Sequence, residues 1–321
     1  VTPASLRPLS RRVLHRVGLS ALTVLGAITA AFFALRLVPV DPAFVIAGAG
    51  GDAVAITAEV LAAIRKEYHL DEPLVMQYLF YLSRLVQGDM GMSYVQEQPV
   101  ASLIAEQARP TLALASLACG LAVLLSLAVG ILSAGRRRTS AIAGAVELVL
   151  ASTPVFWIGF LLMLLFTVHW QLFPLLDTGG LRSLILPALT IALPTAAPLA
   201  QVLRRSMDDV LEQPFITTAR ARGLSVLATK LRHGLRHAVI PYLTMAGYSF
   251  GALLGGAAIT ETLFGRPGLG RLLVNAVTRQ DMPLVLGLVS LATLAFVVMN
   301  LLIDFAYLLI DHRLQTEPPQ P

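Results

Sequence analysis

The stretch "VGLSALTVLGAITAAFFALRLV", Val17 to Val38, decides the class of fold. Its only charge is Arg36, close to its end, and crossing ~30 Å of hydrocarbon takes roughly 20 such residues. The chain continues as "RLVPVDPA", which lacks the small-x-small pattern of a signal-peptidase site, so the run is expected to stay in place as a first membrane span. Composition extends that reading to the whole chain. Hydrophobic residues make up 56% of the 321 and charged residues 13%, with a mean hydropathy of +0.74. A soluble domain is about a quarter charged. The net charge of +5 is explained first by membrane topology, without nucleic acid.

Five further stretches are long and apolar enough to cross. The six expected spans lie near Val13–Val38, Pro110–Ala134, Ala143–Val168, Ile185–Leu203, Val239–Leu263 and Leu284–Ile310. Basic residues sort to one side of them: Arg7, Arg11, Arg12 and Arg16 before the first span, Arg136, Arg137 and Arg138 after the second, and a larger group between Arg204 and Arg236 after the fourth. Lys and Arg accumulate in cytoplasmic loops, so both termini are expected in the cytoplasm. The chain thus divides into a cytoplasmic N-terminus and first span (1–38), an external segment (39–109), a five-span core (110–310) with a cytoplasmic loop at 204–238, and a cytoplasmic tail (311–321). The external segment is too long for a plain loop. It reads as amphipathic helices, "AEVLAAIRKEY" and "PLVMQYLFYLSRLV". The other external connections are short, with turn signals at "DTGG" and "RPGLG".

Catalytic signatures are missing: the chain has no GxxxxGK[ST] loop, HExxH pair or GxSxG elbow. No ATP hydrolysis, cofactor or metal site is expected of it. Cys119 is the only cysteine. His233 and His237, four residues apart, read as interfacial side chains rather than metal ligands, because no acidic third ligand is near. Among acids in the spans, Glu147, Glu261 and Asp304 offer two readings, a proton relay or side chains neutralised near an interface. Gly247, Gly251 and Gly255 recur every fourth residue on one face of the fifth span, suited to close helix packing or to lining a translocation path.

Against this background "RARGLSVLATKLRHGLRHAVIP", Arg220 to Pro241, stands out. It carries five Lys or Arg, two His and no carboxylate. A helix starting after Pro214, an interruption at Gly223 and a second helix with Ser225 as N-cap would form a bent double helix running into the fifth span. A simple anchor on anionic lipid needs no such elbow. A docking knob for a partner protein does.

These residues resemble a known family. "TTARARGLS" is similar to the cytoplasmic motif of the membrane permease subunits of dipeptide, oligopeptide and nickel ABC importers, which reads roughly T-A-R-A-K-G-L. In order along the chain, "LVPVDPA", "LDEPLVMQYLFYL", "GDMGMS", "LPALTIALP" and "ETLFGRPGLGRLLVNAVTRQDMPLV" resemble the same family. The resemblance implies an all-α polytopic fold of six transmembrane helices, the type I ABC importer permease fold, in a bacterial inner membrane. It also implies a coupling helix seated in a groove of an ATPase subunit, which here maps to Thr218, Ala219, Arg220, Ala221, Arg222, Gly223 and Leu224. Implied partners are a second homologous permease, two ATPase subunits and an external substrate-binding protein. Three positions depart from the pattern. Thr217 and Thr218 stand where a wider importer motif begins Glu-Ala, and Val40 stands where the family has glycine. Short peptides are the expected cargo, with nickel, a metallophore or glutathione as alternatives. A stand-alone proton-coupled transporter is the reading from another class, with Glu147 its best feature.

Overall fold

The computed structural model describes residues 7–37, 39–49 and 57–310. The expected tail at 311–321 and the side-chain surroundings of Asp304 lie outside the described residues. All named elements are helices: α1 Arg7–Arg36, α2 Pro42–Ala49, α3 Ala58–Glu67, α4 Leu74–Val86, α5 Val100–Ser133, α6 Arg137–Ser152, α7 Val155–Leu162, α8 Leu181–Leu211, α9 Pro214–Ala221, α10 Val226–Thr229, α11 Leu235–Leu263, α12 Leu269–Thr278 and α13 Met282–Ile310. Five-residue and seven-residue π-helical turns follow α10 and α7, at Lys230–Gly234 and Met163–His169.

Six long helical stretches cover the six expected spans. Among the described residues, four are by themselves long and apolar enough to cross a bilayer, in α1, α5, α8 and α13. The pair Arg137–Ser152 and Val155–His169 makes a fifth if counted as one span. The remaining stretch, α11, is 29 residues long. The third span is not the straight rod expected over Ala143–Val168, because the chain bends by 107° between α6 and α7. Pro154 is the cause. A residue before proline is pushed out of the α region, and Thr153 is extended with ψ 129°, so α6 stops there. The connection expected as a short turn at "RPGLG" also holds more structure, the 10-residue α12.

The chain divides into two compact units, Val1–Ala108 with Leu272–Val298, and Arg109–Arg271 with Met299–Pro321. This cuts across linear order, since the start of α13 folds with the first hundred residues. In the first unit, Phe32 of α1 and Met282 and Leu286 of α13 form a buried cluster, against which Tyr78 and Tyr81 of α4 pack. Asp281 ties two distant motifs together. It is buried, and it accepts hydrogen bonds from the Ser93 hydroxyl and from the backbone N–H of Tyr94 at 3.1 Å and Val95 at 3.3 Å. The N–H of Leu284 at 3.4 Å makes it also the N-cap of α13. Asp41 caps α2 through Ala43 N–H at 2.9 Å, with Pro42 in the first helical position, where its missing N–H costs nothing. Its bond to the Arg65 guanidinium holds the carboxyl below the usual carboxylate range. Val40 does not have a positive φ, so the turn before Asp41 does not require the glycine found in the family.

In the second unit α8 is the central helix. Of its apolar window 67% is buried, and its interior prolines, Pro187, Pro194 and Pro198, sit in a helix enclosed by neighbours that can re-satisfy freed backbone groups. Helix α11 packs along it. Leu199, Leu203 and Met207 of α8 meet Ala238, Tyr242 and Ala246 of α11 and Ala134 at the end of α5. Gly130 of α5 lets Leu203 approach so closely that an added Cβ would lie 2.7 Å from a Leu203 methyl carbon.

Candidate functional site

The elbow in the basic loop is built from its sequence upward. Pro214 opens α9 as its first residue. Burying Ile216 and Ala219, three residues apart, turns one side of this two-turn helix towards the protein. Thr217, Thr218, Arg220, Ala221 and Arg222 are left on the exposed side. The helix ends in a Schellman motif. Gly223 N–H donates to Arg220 O at 2.9 Å and Leu224 N–H to Ala219 O at 3.3 Å. The motif needs a left-handed residue after the cap, and Gly223 has φ +87° with nothing near the position of a Cβ. Two residues on, the Ser225 hydroxyl accepts from Ala228 N–H at 3.2 Å and starts α10. Thus all seven residues singled out in the sequence, Thr218 to Leu224, lie on one short helix and its closing turn.

Three contacts fix the elbow to the helices behind it. The Phe215 ring lies 6.3 Å from the His233 ring and 5.9 Å from that of His237, edge-on or tilted. The two imidazoles therefore serve to brace α9. Lys230 is buried, and its ammonium donates to Ile131 O at 2.9 Å, where the last carbonyls of α5 lack helical partners and the helix dipole favours a cation. Burial, with Arg136 and Arg220 adding repulsion against the attraction of Asp208, holds the Lys230 ammonium below the usual lysine range. Asp208, near the end of α8, accepts from Gly135 N–H at 2.6 Å in the turn after α5. The Phe215 contacts join α9 to the start of α11, while the Lys230 and Asp208 bonds join the end of α5 to the turn after α10 and to α8. The sequence offered Lys230 only as one of five basic residues in its stretch and did not mark Asp208, because their partners are far along the chain.

Two of the acids in the spans, Glu147 and Glu261, have partners among the described residues. Glu147 of α6 and Arg204 of α8 form a buried two-pronged ion pair, both bonds 2.6 Å, with side chains 6% and 5% exposed. Glu261 near the end of α11 serves as an anchor. It accepts from the Thr111 hydroxyl at 2.6 Å and from Gly270 and Arg271 N–H at 2.8 and 3.0 Å, satisfying donors at the start of α12. Buried donors left without partners cost about 1–3 kcal/mol each. Glu261→Ala should then destabilise the protein by about 2–3 kcal/mol, and Glu261→Gln, which keeps one acceptor, by less; thermal unfolding in detergent measures both. Nearby, Arg266 donates to Asp177 at 2.9 Å, joining the two turn signals seen in the sequence. Burial works against ionisation of Asp177, but the Ser183 hydroxyl, Gly179 N–H and Arg266 outweigh it and hold the carboxyl low.

Gly247 is buried on α11. Gly251 and Gly255 continue the same helix, and their surroundings lie outside the described residues. The neighbouring Gly256 faces α8, where an added Cβ would lie 3.8 Å from Ile191. That is an ordinary van der Waals distance, so packing against Ile191 does not by itself require glycine at this position.

Comparison with known proteins accords with this geometry. Residues 84–316 match the family described as binding-protein-dependent transport system inner membrane component, and residues 6–115 match the N-terminal family of the same membrane components. The chain is 38% identical over 288 residues to the glutathione transport system permease protein GsiC of Escherichia coli strain K12, covering 87% of this chain and 90% of that one. The protein of the same name in Salmonella typhi is 38% identical over 297 residues, covering 90% and 94%. Among solved structures, a crystal structure of an amino acid ABC transporter with histidines has a TM-score of 0.50 at 17% identity, covering 65% of this chain and 95% of that one, which is a likeness of fold. With nearly its whole length matched, the chain belongs to the inner membrane components of binding-protein-dependent transport systems, the permease subunits of ABC importers.

Proposed function

We propose that this permease moves short peptides of about the size of glutathione into the cell, as one of two homologous permease subunits that together enclose the path. Two ATPase subunits would dock on the basic side, and an external binding protein would deliver cargo to the segment between α1 and α5. In this orientation both termini and the elbow are cytoplasmic, as the distribution of Lys and Arg favours. Thr218 to Leu224 form the contact with the ATPase, and Gly247, Gly251 and Gly255 border the path. The observation that carries the reading is α9: a short helix with an exposed basic side, closed by Gly223 and set by Phe215 against His237 at the start of α11. Glutathione is a tripeptide, so the relatives named for its transport support a short-peptide cargo.

The test concerns Arg220 and Arg222. No intrachain ion pair engages either among the described residues. Attraction to anionic lipid depends mainly on charge, whereas a planar guanidinium pairs with a partner carboxylate in a way that an ammonium does not. Arg→Lys at either position should weaken co-purification of the ATPase subunits and slow cargo-stimulated ATP hydrolysis, while Arg136→Lys with Arg137→Lys leaves both near normal. Equal behaviour of the two sets would return the elbow to a lipid anchor. The stand-alone proton-coupled reading loses its best feature, since Glu147 is held by Arg204. Uptake into proteoliposomes with and without the ATPases separates the two.

A further inference from the structure

The first unit contains a cavity of about 510 Å³ among α1, the end of α3, α4, the loop before α5 and the start of α13, within the size range of small-ligand sites. Its wall holds a cation with unused capacity. Arg36 donates through Nη2 to Gln77, while its Nε is buried without a hydrogen-bond partner. Gln77 is held in turn, its amide donating to Leu70 O at 3.0 Å and Glu72 O at 2.7 Å, so Arg36 is preset. Beside it are the apolar faces of Phe32, Tyr81 and Leu286, with the guanidinium carbon 5.9 Å from the centre of the Phe32 ring.

At the rim the charges differ in use. Arg84 and Asp89, both more than half exposed, neutralise each other, whereas Glu67 is exposed and has no ion-pair partner among the described residues. A cation with a free donor on a hydrophobic wall and a free carboxylate at the rim suit a small zwitterion with an apolar body. Exposed charges at the rim favour a ligand arriving from water over an acyl chain.

We propose that this cavity binds a short peptide, its C-terminal carboxylate on Arg36, its apolar side chain against Phe32, Tyr81 and Leu286, and its ammonium towards Glu67. The proposal rests on the short-peptide reading above, and would make the outer side of the permease a contact for cargo distinct from the glycine-bordered path.

The experiment uses the assembled importer in nanodiscs, without ATP or binding protein, and radiolabelled Ala-Phe as probe. Saturable binding is expected, about tenfold or more weaker for Ala-Phe amide, since a charge-assisted bond is lost. Arg36→Gln should weaken Ala-Phe to the level of the amide and leave the amide unchanged. Glu67→Gln, an exposed change that does not threaten folding, should weaken Ala-Phe but not N-acetyl-Ala-Phe. No binding, equal binding of acid and amide by the unaltered importer, or displacement by short-chain phosphatidylglycerol and not by unlabelled Ala-Phe would each overturn the proposal. ATP-driven uptake of Ala-Phe and glutathione, measured with the binding protein restored, keeps the two readings apart. Uptake without Arg36-dependent binding removes the cavity site alone, and binding without uptake removes the cargo reading alone.

Discussion

Arg204→Met should cost about 3–5 kcal/mol, because it strands the Glu147 carboxylate in a buried site. Both partners are almost fully enclosed and joined by two bonds of 2.6 Å, so neither has water to fall back on. At about 2–4 °C per kcal/mol for a chain of this order of size, the melting temperature in detergent should fall by roughly ten degrees. The double variant Glu147→Leu with Arg204→Met removes both charges and should recover most of the loss, since an apolar pair of similar volume is often no less stable than a buried ion pair. That variant also decides what the acid is for. If Glu147 only joins α6 to α8, a stable double variant retains ATP-driven uptake. Loss of uptake in a double variant that melts normally would give Glu147 a part in transport itself.

Gly223→Val should reduce uptake more than tenfold while the protein still inserts. The reason is torsional, because nothing lies within 4 Å of where the Cβ would be and φ is +87°. For a β-branched residue the left-handed region costs on the order of 1–2 kcal/mol. Such a cost is small for the whole protein. It is large for α9, eight residues long and closed by the two bonds that depend on that torsion. Gly223→Pro should be as damaging, since it also deletes the N–H that donates to Arg220. Asparagine tolerates the left-handed region, so Gly223→Asn should keep much of the uptake. Measuring uptake, ATPase co-purification and membrane insertion for the three variants separates torsion from bulk. Normal transport by a well-inserted Gly223→Val variant would count against the elbow as a rigid coupler.

Much of the architecture was legible because it is local. The apolar run of Val17–Val38, the helices around "AEVLAAIRKEY" and "LVMQYLFYLSRLV", the start at Pro214, the break at Gly223 and the cap at Ser225 each depend on residues within a turn or two. Hydrophobic length and basic loops are local properties as well, so an all-α membrane protein with an elbow could be read without coordinates, and the resemblance of its motifs to a family supplied the permease reading. The 107° bend was missed although its signal, Thr153–Pro154, was present. Apolar content continues across the break, and a count of apolar residues does not register the restriction that a proline places on the residue before it.

What only the tertiary structure decided is which groups meet. Glu147 and Arg204 are 57 residues apart, Lys230 and Ile131 are 99 apart, and Ser93 and Asp281 are 188 apart. In the sequence Glu147 and Glu261 were charges of open purpose, relay or side chains neutralised near an interface, because a buried carboxylate is defined by the donors around it. Those donors arrive from other helices. The same holds for Arg36, which reads as the end of a span and becomes the wall of a cavity only when α4 brings Gln77 beside it. Local propensity writes the helices; the roles of their polar residues follow from how those helices pack.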